Sequence, residues 1–548
     1  MSGTSSVLTA SWKSPRALAL LIVLWGLTFA GIQHTPLEKH ESFVLATAQE
    51  MKTSGDWLLP RYNEELRLQK PPLSYWATLL VAAADPVNAE VQIWHGRLVS
   101  LLAVLLMVLL TAKAGETVYG KEAGLLAALF LLSTNGILNY VHSARPDMLY
   151  AAFCTLQLFA WIDAWKAESP SRQLRAAWLG WAAAGLATLT KGPQAPVLFL
   201  LGMLFFLLAG PDRKRTLKIL RPFSGAAVFF LLVLPWWLLF QHRLKTLGVT
   251  LADSQLSGSL LLQTAGWKDL LKLFYPWQSL AQLFPASLLL LGIVPGLVKT
   301  PRSTQPVTRL LIAVSLLYMV VFSFGCQYRK HYLLPLLPLY ALLLASHLDA
   351  VRFRGLSRSW RLALAAAGAA GALVCAGLIA WAGAYAMLAV YGALGFALVR
   401  LLRKEPPAAA EGPSAFARLL LPVTAAVILA GAVYSAYSPQ MLPQVAEQTF
   451  LQRLGSDIPP NARLVCWKTS IDTLPYYYRK PVTKLTNQVD LASLLADSSS
   501  ASPVYAVLTA RELPAFSESF TNRVMEKAAG PRRHKTRLCL CEVLGTQN

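Results

Sequence analysis

The chain has 548 residues, of which 55% are hydrophobic and only 14% are charged, and its mean hydropathy is +0.46. This composition excludes a soluble globular protein, because only a membrane accommodates repeated apolar runs of such length. The net charge of +22 does not indicate nucleic-acid binding, since the basic residues form short clusters between apolar runs, as topology requires in membrane proteins. We therefore expect a polytopic α-helical membrane protein.

The first apolar segment, residues 17–33, follows Lys13 and Arg16 as the apolar core of a signal peptide would. No convincing small-residue cleavage site follows it, so we interpret it as an uncleaved spanning helix whose N-terminus is cytoplasmic. The other segments long and apolar enough to span bring the predicted total to about thirteen. They are residues 93–113, 122–139, 148–165, 176–190, 193–209, 222–240, 275–298, 309–325, 332–348, 362–380, 385–399 and 419–437.

Residues 71–84, directly after Lys70, are hydrophobic but too few to cross a bilayer. If they did cross, the basic clusters of all later loops would face outward. Leaving them out places Lys13, Arg16 and the later clusters together on the cytoplasmic side, as the positive-inside rule requires. We therefore predict a juxtamembrane helix that lies in the membrane plane at the outer face.

This topology divides the chain into a transmembrane domain, residues 1–437, and a periplasmic domain, residues 438–548, with residues 34–92 as a periplasmic loop. The C-terminal part lacks long apolar runs and alternates short β-type runs such as RLVCW and VYAVLTA with helical patterns, which predicts a small α/β domain. Its three cysteines allow one disulfide in an oxidising compartment. They are Cys466, Cys539 and Cys541.

Ionisable residues are dense at the outward ends of the predicted spans, where burial is unfavourable and a functional role is the default hypothesis. The stretch YVHSARPDMLY, residues 140–150, places Arg145 and Asp147 on either side of a proline that suits a first helical turn. Asp147 is then either a base or a substrate-orienting carboxylate. The alternative is an aspartate that caps the helix and pairs with Arg145.

Further cations lie at the same face. ATLTKGPQAP places Lys191 between two spans, and CQYRKHYLLPLLP places Lys330 and His331 before a proline-interrupted span. Interfacial anchoring is the alternative for these residues. Lys70 is followed by two prolines, which stiffen the backbone and fix the direction of the lysine side chain. We therefore interpret Lys70 as a phosphate-binding residue, and the alternative is a lysine that is only solvated. Cations of this kind bind a phosphate anion, while carboxylates or a histidine act as a general base.

Six stretches occur in an order that resembles a known family. They are the place of an acidic pair after the first span, GDW-x3-R-x-N (residues 55–63), KPPLSYW, the Arg-Pro-Asp element, GLATLTKGP and KHYLLPLLP. Together they resemble the polyprenyl-phosphate-dependent glycosyltransferases of GT-C fold, namely the bacterial lipid A aminoarabinose transferases and, more distantly, the protein O-mannosyltransferases. The resemblance covers roughly residues 17 to 350 and, more loosely, the remainder.

The resemblance implies an inverting glycosyltransferase in the bacterial inner membrane with a periplasmic active site. It would move a monosaccharide from an undecaprenyl-phosphate-type donor to a lipid A-like acceptor, with a protein acceptor as the alternative, and would act as a monomer. Lys70 matches the lysine that contacts the donor phosphate, Asp147 a functional aspartate and Tyr332 a tyrosine of the phosphate site. We assign substrate binding to seven residues: Lys70, Arg145, Tyr332, Lys191, Lys330, His331 and Arg61.

The sequence also departs from the family. The usual Asp-Glu pair is His40-Glu41 here, so the catalytic candidates are His40, Glu41 and Asp147, with imidazole suited to accept a proton near neutral pH. The usual glutamate before the lysine is Gln69, which removes a metal ligand. No cofactor is therefore assigned, and a divalent metal stays open. A lipid or sugar transporter is disfavoured because charges crowd one interface without a repeat, and an inactive scaffold relative is a further alternative.

Overall fold

The structure is a computed structural model that describes twelve parts of the chain. They are residues 25, 32, 36–208, 213–249, 274–284, 286–289, 306–324, 328–348, 443–469, 471–496, 502–527 and 538–546. Within them the chain forms a helical part followed by a C-terminal sheet domain.

The helical part begins with α1 (Lys39–Ser54), a hairpin of β1 (Arg61–Tyr62) and β2 (Glu65–Leu66), and α2 (Leu73–Ala83). The following helices are α3 Ile93–Tyr119, α4 Lys121–Ser133, α5 Asn135–Tyr140, α6 Pro146–Lys166, α7 Pro170–Lys191, α8 Gln194–Leu208, α9 Arg213–Leu220, α10 Pro222–Thr246, α11 Phe274–Leu283, α12 Pro306–Ser323 and α13 Leu337–Leu348. Short 3-10 helices lie at Ala286–Leu289 and Lys330–Leu336.

Four helices in the described residues are long and apolar enough to cross a membrane: α3, α6, α12 and the continuous stretch Leu217–Thr246. They agree with a multi-pass membrane protein. The predicted segments 362–380, 385–399 and 419–437 lie outside the described residues, as does nearly all of 17–33. The count of about thirteen spans therefore stays a prediction.

Two predicted spans are interrupted. The segment predicted at 122–139 breaks at Thr134, whose hydroxyl accepts the N–H of Ile137 and caps α5. The segment predicted at 332–348 starts as a 3-10 helix that contains Pro335, because proline cannot supply the N–H that an α-helix needs there. The 3-10 helix contains Lys330 and His331, two of the predicted binding residues.

Helix α2 confirms the predicted helix after Lys70. It has 11 residues, and at about 1.5 Å per residue it is too short to cross a bilayer. Tyr75 and Leu79 of α2 pack with Leu45 and Met51 of α1 in one buried cluster. The two helices of the outer loop therefore support each other, while the orientation of α2 in a membrane stays a prediction.

The C-terminal domain is a five-stranded mixed sheet in the order β4-β3-β5-β7-β6, as an α/β pattern predicts. Its strands are β3 Arg463–Trp467, β4 Val482–Leu485, β5 Val504–Thr509, β6 Phe520–Lys527 and β7 Leu538–Thr546, and its helices are α14 Pro443–Asp457, α15 Leu474–Tyr478, α16 Gln488–Ala496 and α17 Leu513–Ser519. Strand β3 is parallel to β4 and β5, whereas β7 is antiparallel to β5 and β6. The disulfide that the three cysteines allow is not formed in the structure. Cys466 lies on β3 and Cys539 and Cys541 lie on β7, and β5 separates these two strands.

Candidate active site

Asp147 lies in the first turn of α6, directly after Pro146 at the first helical position. Its side chain is only 3% exposed and lies among two cations, Arg145 and Lys191, and the imidazole of His331. Burial and then the charge of Lys191 lower the pKa of His331, so this imidazole is neutral. Arg145 donates from Nε to Oδ2 at 2.9 Å, Lys191 donates from Nζ to Oδ1, and His331 Nε2 lies 3.9 Å from Oδ1. The start of α6, the end of α7 and the 3-10 helix thus meet at one carboxylate.

The basic side chains around Asp147 also contact one another and two further residues, Glu38 and Tyr332. Arg145 Nη2 lies 3.3 Å from Nδ1 of His331, and its Nη1 lies 3.8 Å from Oε2 of Glu38. Lys191 Nζ lies 4.7 Å from the ring centroid of Tyr332, a distance suited to a cation–π contact. The predicted residues Arg145, Lys191, His331 and Tyr332 are therefore brought together.

Lys70 is half-buried between the hairpin and α2. Burial and, after it, the charge of Lys191 lower the pKa of the Lys70 ammonium to about 8. The charges of Arg67 and Arg329 also lower this pKa, whereas the charge of Asp147 raises it. Within the described residues no hydrogen bond or ion pair neutralises this ammonium. An anion placed here would relieve the repulsion among these cations.

His40 is accessible to solvent near the same charges. Partial burial and then the charge of Arg145 lower its pKa to about 4, so the imidazole is neutral at neutral pH.

Glu38, which the sequence analysis did not select, is the residue that precedes α1 and contacts Arg145. Burial and the neighbouring Glu41 raise the pKa of Glu38. The sequence could have indicated Glu38 as a site residue through its position two residues before His40.

Glu41 is buried and both of its carboxylate oxygens are occupied. Arg97 donates from Nε to Oε1 and from Nη2 to Oε2, each at 2.9 Å. The backbone N–H of Ala144 donates to Oε1 at 2.7 Å, and that of Glu38 donates to Oε2 at 3.1 Å. Glu41 therefore ties α1 and α3 to the residue that precedes Arg145. The sequence gives no signal for this pair, since Arg97 and Glu41 are 56 positions apart.

The other two predicted binding residues lie apart from Asp147. Arg61 donates from Nη1 to the carbonyl of Glu64 at 3.0 Å, within the hairpin. Lys330 is exposed and acts electrostatically on Glu38. In the described part of the chain, no group of three or more His, Cys, Asp or Glu is placed to hold a metal ion.

Comparison with known proteins gives sequence matches to part of the chain. The family of dolichyl-phosphate-mannose-protein mannosyltransferases matches residues 69–239, which include Lys70, Asp147 and Lys191. An uncharacterised protein of Aquifex aeolicus (strain VF5) is 33% identical over 219 residues, 39% of this chain and 42% of that protein. The undecaprenyl phosphate-alpha-4-amino-4-deoxy-L-arabinose arabinosyl transferase 2 of Pseudomonas fluorescens is 29% identical over 204 residues, 35% of this chain and 33% of that enzyme. The chain thus spans less than half the length of the curated relatives it matches.

Solved structures match almost the whole chain. The crystal structure of ArnT from Cupriavidus metallidurans bound to undecaprenyl phosphate superposes with a TM-score of 0.76 at 18% identity, covering 96% of this chain and 97% of that one. The apo state of the same protein gives a TM-score of 0.73 at 19% identity, with the same coverage. The chain therefore has the fold of ArnT, and the GT-C fold predicted from the sequence motifs is confirmed.

Proposed function

We propose that this protein is an inverting glycosyltransferase that takes a monosaccharide from a polyprenyl-phosphate donor and passes it to a lipid A-like acceptor at the periplasmic face of the inner membrane. The observation that carries the proposal is the excess of positive charge around Lys70. Lys191, Arg67 and Arg329 raise the local potential further. An anionic phosphate is the ligand class that such a site favours.

The donor phosphate binds at Lys70, with Lys191 and Arg145 beside it. Asp147 holds these two cations in place, since both of its oxygens already accept from them. A carboxylate engaged in this way is a poor proton acceptor, because protonation would break its ion pairs. Asp147 is thus a positioning group for the phosphate-binding cations.

Transfer breaks the bond between the sugar's anomeric carbon and the phosphate oxygen. The phosphate keeps the electron pair, and its charge is stabilised by the cations already in place. The acceptor hydroxyl attacks the opposite face of the anomeric carbon, which inverts its configuration. No nucleotide-binding fold is needed, since the leaving group is the lipid phosphate itself.

His40 accepts the proton from the acceptor oxygen. Its ring has no hydrogen-bond partner among the described residues, whereas the oxygens of Glu41 and Asp147 are occupied. A pKa near 4 makes His40 a weak base. A weak base suffices when the transition state resembles an oxocarbenium ion, because the acceptor loses its proton late.

A protein acceptor is the second candidate. It is favoured by the match of residues 69–239 to a family described as protein mannosyltransferases. The chemistry at the donor is the same for both acceptors. The two candidates therefore differ only in which product carries the sugar.

The test is reconstitution in proteoliposomes that contain lipid A and a periplasmic protein extract. The donors are radiolabelled undecaprenyl-phosphate aminoarabinose and mannose, offered separately. We expect label in lipid A for wild type and a loss of about a hundredfold in Lys70→Ala, as for removal of a charged transition-state contact. The matched control is Lys121→Ala, an exposed lysine at the start of α4.

Label in protein instead of lipid would favour the second candidate. A wild-type protein that transfers neither sugar to either acceptor would overturn the proposal for these donors. Equal rates in Lys70→Ala and wild type would overturn the phosphate site. The anomeric configuration of the product, measured by NMR, tests inversion separately.

A further inference from the structure

Asp472, in the segment between β3 and α15, contacts the first turns of α1. Its Oδ2 lies 2.7 Å from Nζ of Lys39, and its backbone carbonyl accepts from Ser42 Oγ at 2.6 Å. The same carbonyl accepts from the hydroxyl of Tyr62 in the hairpin. Lys39 and Ser42 are three residues apart and so lie on one face of α1. The C-terminal domain therefore rests on the helix that carries His40.

The hairpin is joined to the same domain through Asn63. Its Nδ2 donates to the carbonyl of Val482 at 2.9 Å, and its Oδ1 accepts the N–H of Val482 at 2.8 Å. Val482 begins β4, which is an edge strand of the described sheet. Asn63 thus forms hydrogen bonds with both the N–H and the carbonyl of Val482, which lie at the unpaired edge of the sheet. Lys70 follows this hairpin by a few residues.

A third contact reaches the loop before α3. Tyr476 donates from its hydroxyl to the carbonyl of Val91 at 3.2 Å, and Arg479 donates from Nη2 to the same oxygen at 2.9 Å. Tyr476 also belongs to the buried cluster formed by α1 and α2. One segment of the C-terminal domain therefore touches each element of the outer loop that leads to the candidate site.

We propose that the C-terminal domain is a positioning part of the transferase, in which Asp472 sets the first turn of α1 and Val482, through Asn63, sets the hairpin. This inference rests on the proposed function. Lys39 faces the domain while its neighbours Glu38 and His40 act on Arg145, so a shift of this turn moves the proton acceptor. Asn63 and Asp472 touch no substrate and are positioning residues.

The first experiment reverses the charges of the Lys39–Asp472 pair. Lys39→Glu and Asp472→Lys each replace attraction by repulsion, and we expect each to lower the turnover number about fivefold. Hydrogen exchange of residues 36–54 should rise in both. The double variant Lys39→Glu/Asp472→Lys should recover both values, because the pair is attractive again. Lys484→Glu is the control, since Lys484 lies 4.0 Å from the other carboxylate oxygen and does not contact α1.

The second experiment is Asn63→Asp, which keeps the shape of the side chain and replaces the donor facing the Val482 carbonyl by an acceptor. We expect the KM for the donor to rise and the turnover number to fall, together lowering kcat/KM about fivefold, because Lys70 contacts the donor phosphate both in the bound state and in the transition state. Asn487→Asp, in the same domain and away from the hairpin, is the isosteric control and should change neither.

These outcomes separate positioning from simple stability. A purely structural contact would lower the amount of folded protein and leave the turnover number and KM of the remainder unchanged. The inference is overturned if the single variants exchange and transfer like wild type, or if the double variant does not recover. If wild type itself transfers no sugar, the proposed function fails, and hydrogen exchange still decides whether the domain holds α1.

Discussion

The two ends of the helix pair α6 and α7 both bury a carboxylate, yet they differ in charge balance. At the cationic end, Asp147 meets Arg145, Lys191 and His331, and Lys70 adds a further ammonium. At the opposite end, Asp163 accepts from Arg172 at 2.5 Å and acts electrostatically on Lys166, and on the neighbouring helix α3 Glu116 accepts from Lys113 at 3.1 Å. Burial of charge is therefore common to both ends. At the cationic end, one carboxylate lies within 4 Å of three basic side chains, and the ammonium of Lys70 adds to them.

The largest expected contrast is between Asp147→Asn and Asp163→Asn. Both carboxylates lie on α6 and are 3% and 2% exposed, and each loses its charge while keeping its shape. Asp147→Asn should lower transfer about a thousandfold, because Arg145 and Lys191 lose the group that orients them. Asp163→Asn should lower stability but leave the rate per folded molecule unchanged. Turnover is measured on protein selected by size-exclusion chromatography.

If Asp163→Asn lowers the turnover of folded protein as much as Asp147→Asn does, the distinction between the two ends is wrong. If Asp147→Asn transfers like wild type, Asp147 does not serve the reaction.

The second prediction concerns the ion pair of Glu41 with Arg97, which lies beside the cationic end and in which one negative charge meets one positive charge. Glu41→Gln leaves the buried guanidinium of Arg97 without its counter-ion, so we expect a loss of about 3 kcal/mol in the free energy of unfolding. Glu116→Gln should lose less than this, because Glu116 is 16% exposed whereas Glu41 is 2% exposed, so water can solvate the ammonium of Lys113 more readily. Thermal unfolding in detergent compares the two. Equal losses in the free energy of unfolding would show that the deeper burial of Glu41 adds nothing to the contribution of its ion pair.

The third prediction is a pH dependence at the cationic end alone. Because the pKa of Lys70 is lowered to about 8, its ammonium is charged at pH 7 and mostly neutral at pH 9. The value of kcat/KM for the donor, which reports the free enzyme, should therefore fall about tenfold between these pH values. Lys70→Arg should remove this fall, since a guanidinium stays charged. A wild-type profile that is flat to pH 9 would contradict the role of Lys70.

The smallest effects are expected where the sequence suggested binding and the structure shows no approach to Asp147. Arg61→Ala loses a hydrogen bond within the hairpin, and Lys330→Ala loses an exposed charge. Each should keep donor KM and turnover within about twofold of wild type. A loss of more than tenfold in either would return that residue to the site.

The sequence predicted the candidate site in part. Intramembrane charge made Asp147 and Lys191 conspicuous, and two prolines did the same for Lys70. The ion pair of Arg145 with Asp147 is confirmed, and it is part of a larger cluster of basic side chains. The role of Asp147 in the reaction stays a prediction. Glu38 was not selected as a site residue, because its contact with Arg145 joins residues that are far apart in the sequence. Arg97 was not selected, because its partner is 56 positions away in the sequence.

The sequence by itself determined the membrane class, most helix positions within the described residues and the short helix after Lys70. These features depend on local properties, namely the length of apolar runs, proline positions and the charges at their ends. Only the tertiary structure decided which charges meet. The pairs join residues 44, 56 and 186 positions apart, and no spacing rule connects such distances. Whether a buried carboxylate is saturated, as in Glu41, or surrounded by excess cations, as in Asp147, follows from how α1, α3, α6 and α7 pack.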